Sequence, residues 1–193
     1  PGHDFMRHDI SLLGISRCGI HPVATSGSTE PVCSPLHLVF NFGIILHGAL
    51  SIMGLWLTRN AWPADRLTSS GLLLLGLGGV GAMVVGAFAI DDHMLIHVSG
   101  AVLAIAAPGA GFLLLARALR SRAPVLAWLT GLVGCTILLA GLGHALGGLP
   151  VGRGAMERLA VWPQTLWYMG VGTMLLLSHP RPQTRRLVPH AYR

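Results

Sequence analysis

Lysine is absent from this sequence, and all thirteen basic residues are arginine. Charged residues of both signs make up only 10% of the chain and aromatic residues only 6%, whereas 52% of the residues are hydrophobic. A soluble globular domain carries about 25% charged residues, so this composition excludes that class and favours a membrane protein. The sequence also lacks a basic patch interleaved with aromatic residues, and we therefore expect no nucleic-acid partner.

Five long apolar runs fill the chain after residue 34. Each is about 20 residues long, which as a helix crosses a hydrocarbon core of roughly 30 Å. The runs are continuously apolar rather than alternating, which argues against membrane strands. The sequence therefore predicts an all-α, polytopic transmembrane helix bundle over residues 35–178, preceded by a polar segment at 1–34 and followed by a tail at 179–193. The predicted spans are Pro35–Leu57, Thr68–Ile90, His97–Leu119, Pro124–Leu146 and Leu159–Ser178.

The arginines are distributed unevenly between the two sides that these spans define. Nine of the thirteen lie at the loops near 58–67 and 118–123 or in the tail at 179–193. The positive-inside rule then makes that side, including the C-terminus, cytoplasmic, and places the segment at 1–34 outside a cytoplasmic (inner) membrane. The net charge of +6 indicates attraction to anionic membrane lipids. The chain begins at Pro1 without Met, and with an odd number of spans we expect a sixth span upstream.

Cysteine usage agrees with this topology. Cys18 and Cys33 both lie in the predicted extracytoplasmic segment, where disulfides persist, and we predict that they form a bridge. Two free thiols are the alternative. Cys135 lies inside a predicted span and is interpreted as a small apolar residue.

The stretch "FAIDDHMLIHVSG" (88–100) places Asp91, Asp92, His93 and His97 between two apolar runs. Asp92 is positioned to cap the following helix at its N-terminus. His93 and His97 are four residues apart, a spacing that can present two imidazoles to a divalent metal, although the acid of an HExxH motif is missing. A hydrogen-bonded structural histidine is the alternative for His97. Haem is less favoured, because the histidines of the spans form no paired pattern at two depths.

A second polar group precedes the last span, where Glu157 and Arg158 stand next to each other. Antiparallel hairpins bring this point to the same membrane face as the 88–100 stretch. Charges near lipid are costly unless they are paired. We therefore predict that the two polar groups contact each other and that the N-terminal segment folds over them. The candidate catalytic residues are His8, Asp9, Asp92, His97, Glu157 and Arg158.

Small residues recur at four-residue spacing in two spans, at Gly78, Ala82 and Gly86 and again at Gly143 and Gly147. This spacing lets helix backbones approach closely. Such faces can pack within the chain, or they can join a partner subunit or a second copy in a homo-oligomer.

Three stretches resemble a known family. They are "PGHDFMRHDISLLG", "GAFAIDDHMLIHVSGA" and "ERLAVWPQTLW", and the family is domain of unknown function 998, a group of bacterial and archaeal integral membrane proteins. The matching positions are Pro1, Gly2, Ser11–Gly14, Asp91 or Asp92, His97, Glu157 and Arg158. The resemblance implies about six helices, the first of them before Pro1. This sequence differs from the family pattern in lacking that helix and in being rich in histidine.

Two classes of function fit these features. One is a hydrolase or transferase that acts on a lipid or lipid-linked substrate at the extracytoplasmic membrane face, with His, Asp and Glu activating water directly or through a metal. The other is a non-enzymatic membrane protein, such as an accessory subunit, a sensor or a binder of a small ligand or haem. A transporter is disfavoured because the middle of the spans carries no charge.

Overall fold

The computed structural model describes residues 3–22 and 29–178. Within these residues it confirms the predicted all-α bundle. The predicted tail at 179–193 lies outside the described residues, as do Pro1 and Gly2. The five helices are α1 (His37–Thr58), α2 (Arg66–Ala87), α3 (Met94–Leu119), α4 (Pro124–Ala145) and α5 (Arg153–Ser178).

Four of these helices, α1 to α4, are long and apolar enough to cross a membrane, as a multi-pass membrane protein requires. Helix α5 covers the fifth predicted span and is also long, with 26 residues. Helix α5 is less apolar than α1 to α4 and is not counted with them as apolar enough to cross a membrane. Its first turns carry charged residues, and the polar Gln164 and Thr165 follow them. It begins at Arg153, six residues before the predicted start of the span at Leu159.

Short connections make consecutive helices antiparallel neighbours. Asp65 caps α2 by accepting a hydrogen bond from the Thr68 amide at 2.9 Å. Pro124 occupies the first turn of α4, where its missing N–H costs nothing. Between α4 and α5 the chain turns through Gly148 and Gly152, whose φ angles of 94° and 96° favour glycine.

Glycine determines how closely the helices pack. Gly81 on α2 lies against the backbone of α3, and Gly78 makes room for the ring of Pro108, which interrupts the hydrogen bonding of α3 without ending it. Gly48 on α1 lies against the backbone of α2 at Gly79. The predicted face of Gly78 and Gly86 on α2 is therefore used for packing within the chain, whereas the predicted pair of Gly143 and Gly147 does not form a helical face, because α4 ends at Ala145. The central core lies between α2, α3, α4 and α5, and includes Leu75, Phe112, Leu115, Ile137 and Trp167.

The N-terminal segment is folded and contains the only strands among the described residues. A short 3-10 helix (Ile10–Gly14) is followed by an antiparallel hairpin of β1 (Gly19–Pro22) and β2 (Thr29–Val32). The predicted disulfide between Cys18 and Cys33 is confirmed; it joins the two strands at the open end of the hairpin, with the Cα atoms 4.2 Å apart. The segment therefore has a defined structure with which to cover the bundle.

Candidate functional site

The N-terminal segment lies across one end of the bundle, where α2 and α4 end and α3 and α5 begin. We call this the polar end. The segment has its own small core, in which Leu12 and Ile15 are buried against Ile90 of the α2–α3 connection. It is fastened to α1 by the Asn41 side chain, which donates a hydrogen bond to the Gly14 carbonyl at 3.0 Å. These contacts fix the segment relative to the helices beneath it.

Asp91 and Asp92 hold this segment in place. The Asp91 carboxylate accepts hydrogen bonds from the Ser16 and Arg17 amides and from the Ser16 hydroxyl, at 2.9–3.1 Å. Burial alone would raise the pKa of Asp91, but the hydrogen bonds from Ser16 and Arg17 outweigh it and lower the pKa. Asp92 pairs with Arg17 at 3.0 Å. The predicted capping role of Asp92 is wrong, because His93 occupies the N-cap position of α3.

Asp9 joins the segment to α5 through Arg153. Arg153 Nη2 donates to Asp9 Oδ2 at 2.7 Å, and His144 Nε2 lies 3.2 Å from the same Nη2 atom. The two side chains of the ion pair are only 12% (Asp9) and 19% (Arg153) exposed, so water screens the pair weakly. Asp9 was predicted as a catalytic residue, and the structure places it in this ion pair.

Arg158 is buried, yet among the described residues no carboxylate lies within ion-pair distance of it. Its Nη1 donates to the carbonyls of His8 and Gly154 at 2.9 and 2.8 Å, and its Nη2 lies 2.9 Å from His3 Nε2. The ring face of Phe5 covers the guanidinium, with the ring centroid 4.1 Å from Cζ. The Arg158 guanidinium is therefore held by backbone carbonyls and by His3 rather than by a carboxylate.

Glu157 lies one residue before Arg158 and points in a different direction. Its carboxylate accepts a hydrogen bond from the Ile10 amide in the N-terminal segment. Glu157 precedes the apolar part of α5, which begins at Leu159. Burial, reinforced by the negative charge of Asp9, raises the pKa of Glu157 to about 7. The carboxyl group is therefore present in both protonation states near neutral pH.

His97 is buried in the first turn of α3. Its Nδ1 atom lies 2.8 Å from the Phe88 carbonyl oxygen, and because a carbonyl only accepts, Nδ1 carries the proton. His97 forms no hydrogen bond or ion pair with Glu157 or Arg158 within the described part of the chain. The predicted contact between the two polar groups is therefore not made through a hydrogen bond or ion pair of His97 in these residues. The ring nitrogen Nε2 is left unprotonated.

A cavity of about 520 Å³ connects the two residues. His97 and Glu157 both line it, beneath Ile10 and Ser11 of the N-terminal segment. Most of the remaining lining comes from apolar side chains of α1, α2, α3 and α5. Of the six residues predicted as catalytic, His97 and Glu157 thus face a common space. Of the other four, Asp9, Asp92 and Arg158 hold the N-terminal segment on the bundle. The His8 side chain bonds within that segment, to the Asp4 amide and to Glu30.

The comparison with known families agrees with the resemblance in the sequence. A family model described as protein of unknown function (DUF998) matches residues 1–174, which is most of the chain. The chain belongs to this family. No curated protein and no solved structure matches it. The matched residues include the N-terminal segment, all residues that line the cavity and most of α5. The site of this DUF998 chain therefore lies within the part of the sequence that the family model describes.

The predicted metal pair is not supported by the geometry of this DUF998 protein. Helix α3 begins at Met94, so His93 precedes the helix and does not share a helical face with His97. His93 is exposed, and its ring contacts that of Phe88 at a centroid distance of 5.5 Å. Residues 3–22 and 29–178 contain no group of three or more His, Cys, Asp or Glu residues that could hold a metal ion.

Several residues of the site in this DUF998 chain were not predicted from the sequence. Gln164 and Thr165 line the cavity, as does His47 of α1, and Arg153 forms the ion pair with Asp9. Gln164 and Thr165 follow Glu157 by seven and eight positions, a spacing that puts all three on one face of a helix. That periodicity is visible in the sequence once α5 is extended beyond its apolar part.

Proposed function

We propose that the protein is a membrane-embedded hydrolase or transferase that acts on an uncharged ester of a lipid or lipid-linked substrate, with His97 as general base and Glu157 as general acid. The observation that carries this proposal is that both side chains line one cavity whose other walls are mostly apolar. Apolar walls with a few convergent polar groups are typical of a small-molecule site.

The hydrogen bond from His97 Nδ1 to the Phe88 carbonyl suits the role of base, because it leaves Nε2 free to accept a proton. In the reaction Nε2 removes a proton from water, or from the hydroxyl group of an acceptor. The resulting oxygen nucleophile attacks the ester carbonyl carbon. The bond to the leaving oxygen then breaks, and that oxygen takes the proton of Glu157. A proton returned from His97 to Glu157 through solvent restores both groups.

The absence of arginine from the cavity lining argues for an uncharged reacting group. Arg153 is paired with Asp9, and Arg158 is bound to carbonyls and to His3. Neither guanidinium lines the cavity among the described residues. A phosphate group brought into an apolar cavity needs a cation to compensate its charge, whereas a carboxylic ester does not.

A non-enzymatic role is the second candidate, and one observation favours it. The Glu157 carboxylate accepts the Ile10 amide hydrogen, so Glu157 also holds the N-terminal segment. In that case the cavity binds a ligand without chemical change, and the loss of His97 or Glu157 alters stability or binding only.

The test uses the purified chain in nanodiscs that contain diacylglycerol in phosphatidylcholine. Released fatty acid and transferred acyl products are measured by mass spectrometry. His97→Asn keeps a donor for the Phe88 carbonyl but removes Nε2, and Glu157→Gln keeps an acceptor for the Ile10 amide. We expect each variant to lower the rate by about a hundredfold or more. The exposed His93→Asn is the matched control and should retain the wild-type rate.

Two results would contradict the enzymatic role. One is that the wild-type chain releases or transfers no acyl group. The other is that His97→Asn and Glu157→Gln react at the wild-type rate. A variant that is slow only because it is unfolded is recognised by its melting curve, which for both conservative substitutions should remain cooperative.

A further inference from the structure

The cavity at the polar end has polar side chains at two depths. His97 and Glu157 lie near the end that the N-terminal segment covers. Gln164 and Thr165 lie two turns further along α5, about 10 Å below Glu157 at 1.5 Å per residue. His47 lies ten residues after the start of α1, which begins at the same end of the bundle, and it lines the cavity with them. We call His47, Gln164 and Thr165 the deep polar group.

The side chains of the deep polar group have no partner in the described part of the chain. Gln164 is only 7% exposed, yet its side-chain amide forms no hydrogen bond with any described residue. The same holds for the side chains of His47 and Thr165 within these residues. A buried polar group that lacks a partner costs on the order of 1–3 kcal/mol. A ligand in the cavity that supplies the partner would therefore be bound favourably.

Apolar residues separate the two polar levels of the cavity. Ile44 of α1, Ala101 of α3 and Val161 of α5 line it between the two depths. A ligand that matches both levels carries polar groups on either side of an apolar stretch about 10 Å long. An unsubstituted hydrocarbon chain would instead leave the Gln164 amide without a partner.

The chemistry of the deep polar group indicates which substituent of a ligand fits. An amide, a hydroxyl and a neutral imidazole each offer a donor and an acceptor. A hydroxyl group on the ligand also donates and accepts, whereas a carbonyl group only accepts. Glu157 is the only Asp, Glu or Arg among the described residues of the lining, and it lies at the other depth. A charged substituent would therefore lack a counter-charge beside the deep polar group.

We propose that the deep polar group binds a hydroxyl group carried by the acyl chain of the lipid ester, about 10 Å from the carbonyl carbon that reacts beside His97 and Glu157. The preferred substrates are then esters of fatty acids that are hydroxylated along the chain. This inference rests on the proposed function for the identity of the reacting end. Binding of the hydroxyl group depends on the deep polar group alone, so it can be tested without turnover.

The experiment compares three long-chain fatty acyl amides, which hydrolyse far more slowly than esters. One acyl chain is unsubstituted, and one carries a hydroxyl group about 10 Å from the carbonyl carbon, at the separation of the two polar levels. The third carries the hydroxyl group on the carbon next to the carbonyl. Equal amounts are added to the delipidated chain in detergent. Mass spectrometry then measures the ratio of the three amides that remain bound after gel filtration.

Two variants remove hydrogen-bonding groups from the deep polar group at nearly constant side-chain volume. They are Gln164→Met and Thr165→Val. Methionine has about the helix propensity of glutamine, so α5 is preserved. Thr173→Val is the matched control, because it makes the same substitution at an exposed threonine of α5 that does not line the cavity.

We expect the wild-type chain and Thr173→Val to retain the amide with the distant hydroxyl group at least tenfold better than the other two. Gln164→Met should remove most of this preference, and Thr165→Val should lower it by a smaller factor. Equal retention of the three amides by the wild type would overturn the inference, because water alone would then satisfy the deep polar group. A preference that both variants leave unchanged would overturn it as well, since the hydroxyl group would be held elsewhere.

Turnover of the corresponding esters separates this inference from the proposed function. If the wild type hydrolyses the plain and the hydroxylated ester with equal kcat/KM and His97→Asn abolishes both reactions, the chemistry stands and the role of the deep polar group is wrong. If the preference for the hydroxylated amide depends on Gln164 and no ester is consumed, the deep polar group binds the hydroxyl group as inferred and the proposed reaction is wrong.

Discussion

Glycines on the two sides of the bundle have opposite environments. At the α2–α3 interface, a Cβ added to Gly81 would lie 2.6 Å from the Ala104 nitrogen and 2.7 Å from the Gly100 oxygen. Between α1 and α5, a Cβ added to Gly54 or Gly172 would meet nothing within 4 Å. The same residue type therefore permits close backbone contact on the first side and leaves an open space on the second.

The polar residues follow the same division. Arg153 and Asp9 form a weakly exposed ion pair that fastens the N-terminal segment, and Arg158 has its Nη1 and Nη2 atoms bonded to groups in the same region. His97 and Glu157 instead face the cavity. Substitutions on the packed side should therefore reduce stability, whereas substitutions on the open side should change binding or turnover and leave the fold intact.

The largest effect is expected from Gly81→Leu. Its side chain would meet the backbone of α3, which cannot move without separating two helices, so we expect a loss of several kcal/mol or no folded protein. Gly76→Leu on the same helix is the control, since an added Cβ there meets no atom within 4 Å. Thermal unfolding in detergent measures both. Equal melting temperatures would show that the α2–α3 interface is not tightly packed.

A smaller loss is expected from Asp9→Asn. The substitution leaves Arg153 without its anionic partner at a site where both side chains are largely buried, and we expect about 3 kcal/mol of destabilisation. The pair of Arg7 with Glu30 is the control, because Arg7 is 66% exposed and Arg7→Gln should cost less than about 1 kcal/mol. Denaturant unfolding compares the two. A similar cost for both variants would remove the distinction between the packed and the exposed ion pairs.

Much of the fold was predictable because apolar runs of membrane length leave little choice of structure. The runs that became α1 to α4 begin and end within a few residues of their predicted bounds. The start of α5 was predicted at Leu159 but lies at Arg153. Hydropathy ends where charged residues begin, whereas the helix continues as long as backbone hydrogen bonds can form. The predicted upstream span, the sidedness and the tail stay predictions.

The candidate site was predictable only as a region. Hairpin geometry indicated that the N-terminal segment would meet Glu157 and Arg158, and it does so through His8 and Ile10. The choice of partners was not predictable, because it depends on the rotation of α5 about its axis. That rotation directs Arg158 toward the N-terminal segment and Glu157 toward the cavity. The open space between α1 and α5 was equally hidden, since most of the residues that line it are apolar, as in a packed interface.

The smallest of these effects is a pH dependence of stability that Glu157→Gln should remove. Among the described residues, the charged or titratable groups around Glu157 include Asp9, Arg153 and Arg158 near its carboxyl group, and His97 and His47 in the lining of the same cavity. The pKa of Glu157 is raised from 4.5 to about 7 in the folded chain. The folded state therefore holds a proton that the unfolded chain has already lost over this range of pH.

The sign of the effect follows from this difference in proton binding. The contribution of Glu157 to stability is fully present below pH 4.5, is lost as the pH rises toward 7, and changes no further above that value. The amide in Glu157→Gln cannot titrate. The measured quantity is the melting temperature of the wild type minus that of the variant. We expect this difference to fall by roughly a few degrees between about pH 5 and about pH 8. A difference that stays constant over this range would mean that Glu157 is ionised throughout, and it would remove the general acid from the proposed mechanism while leaving the cavity in place.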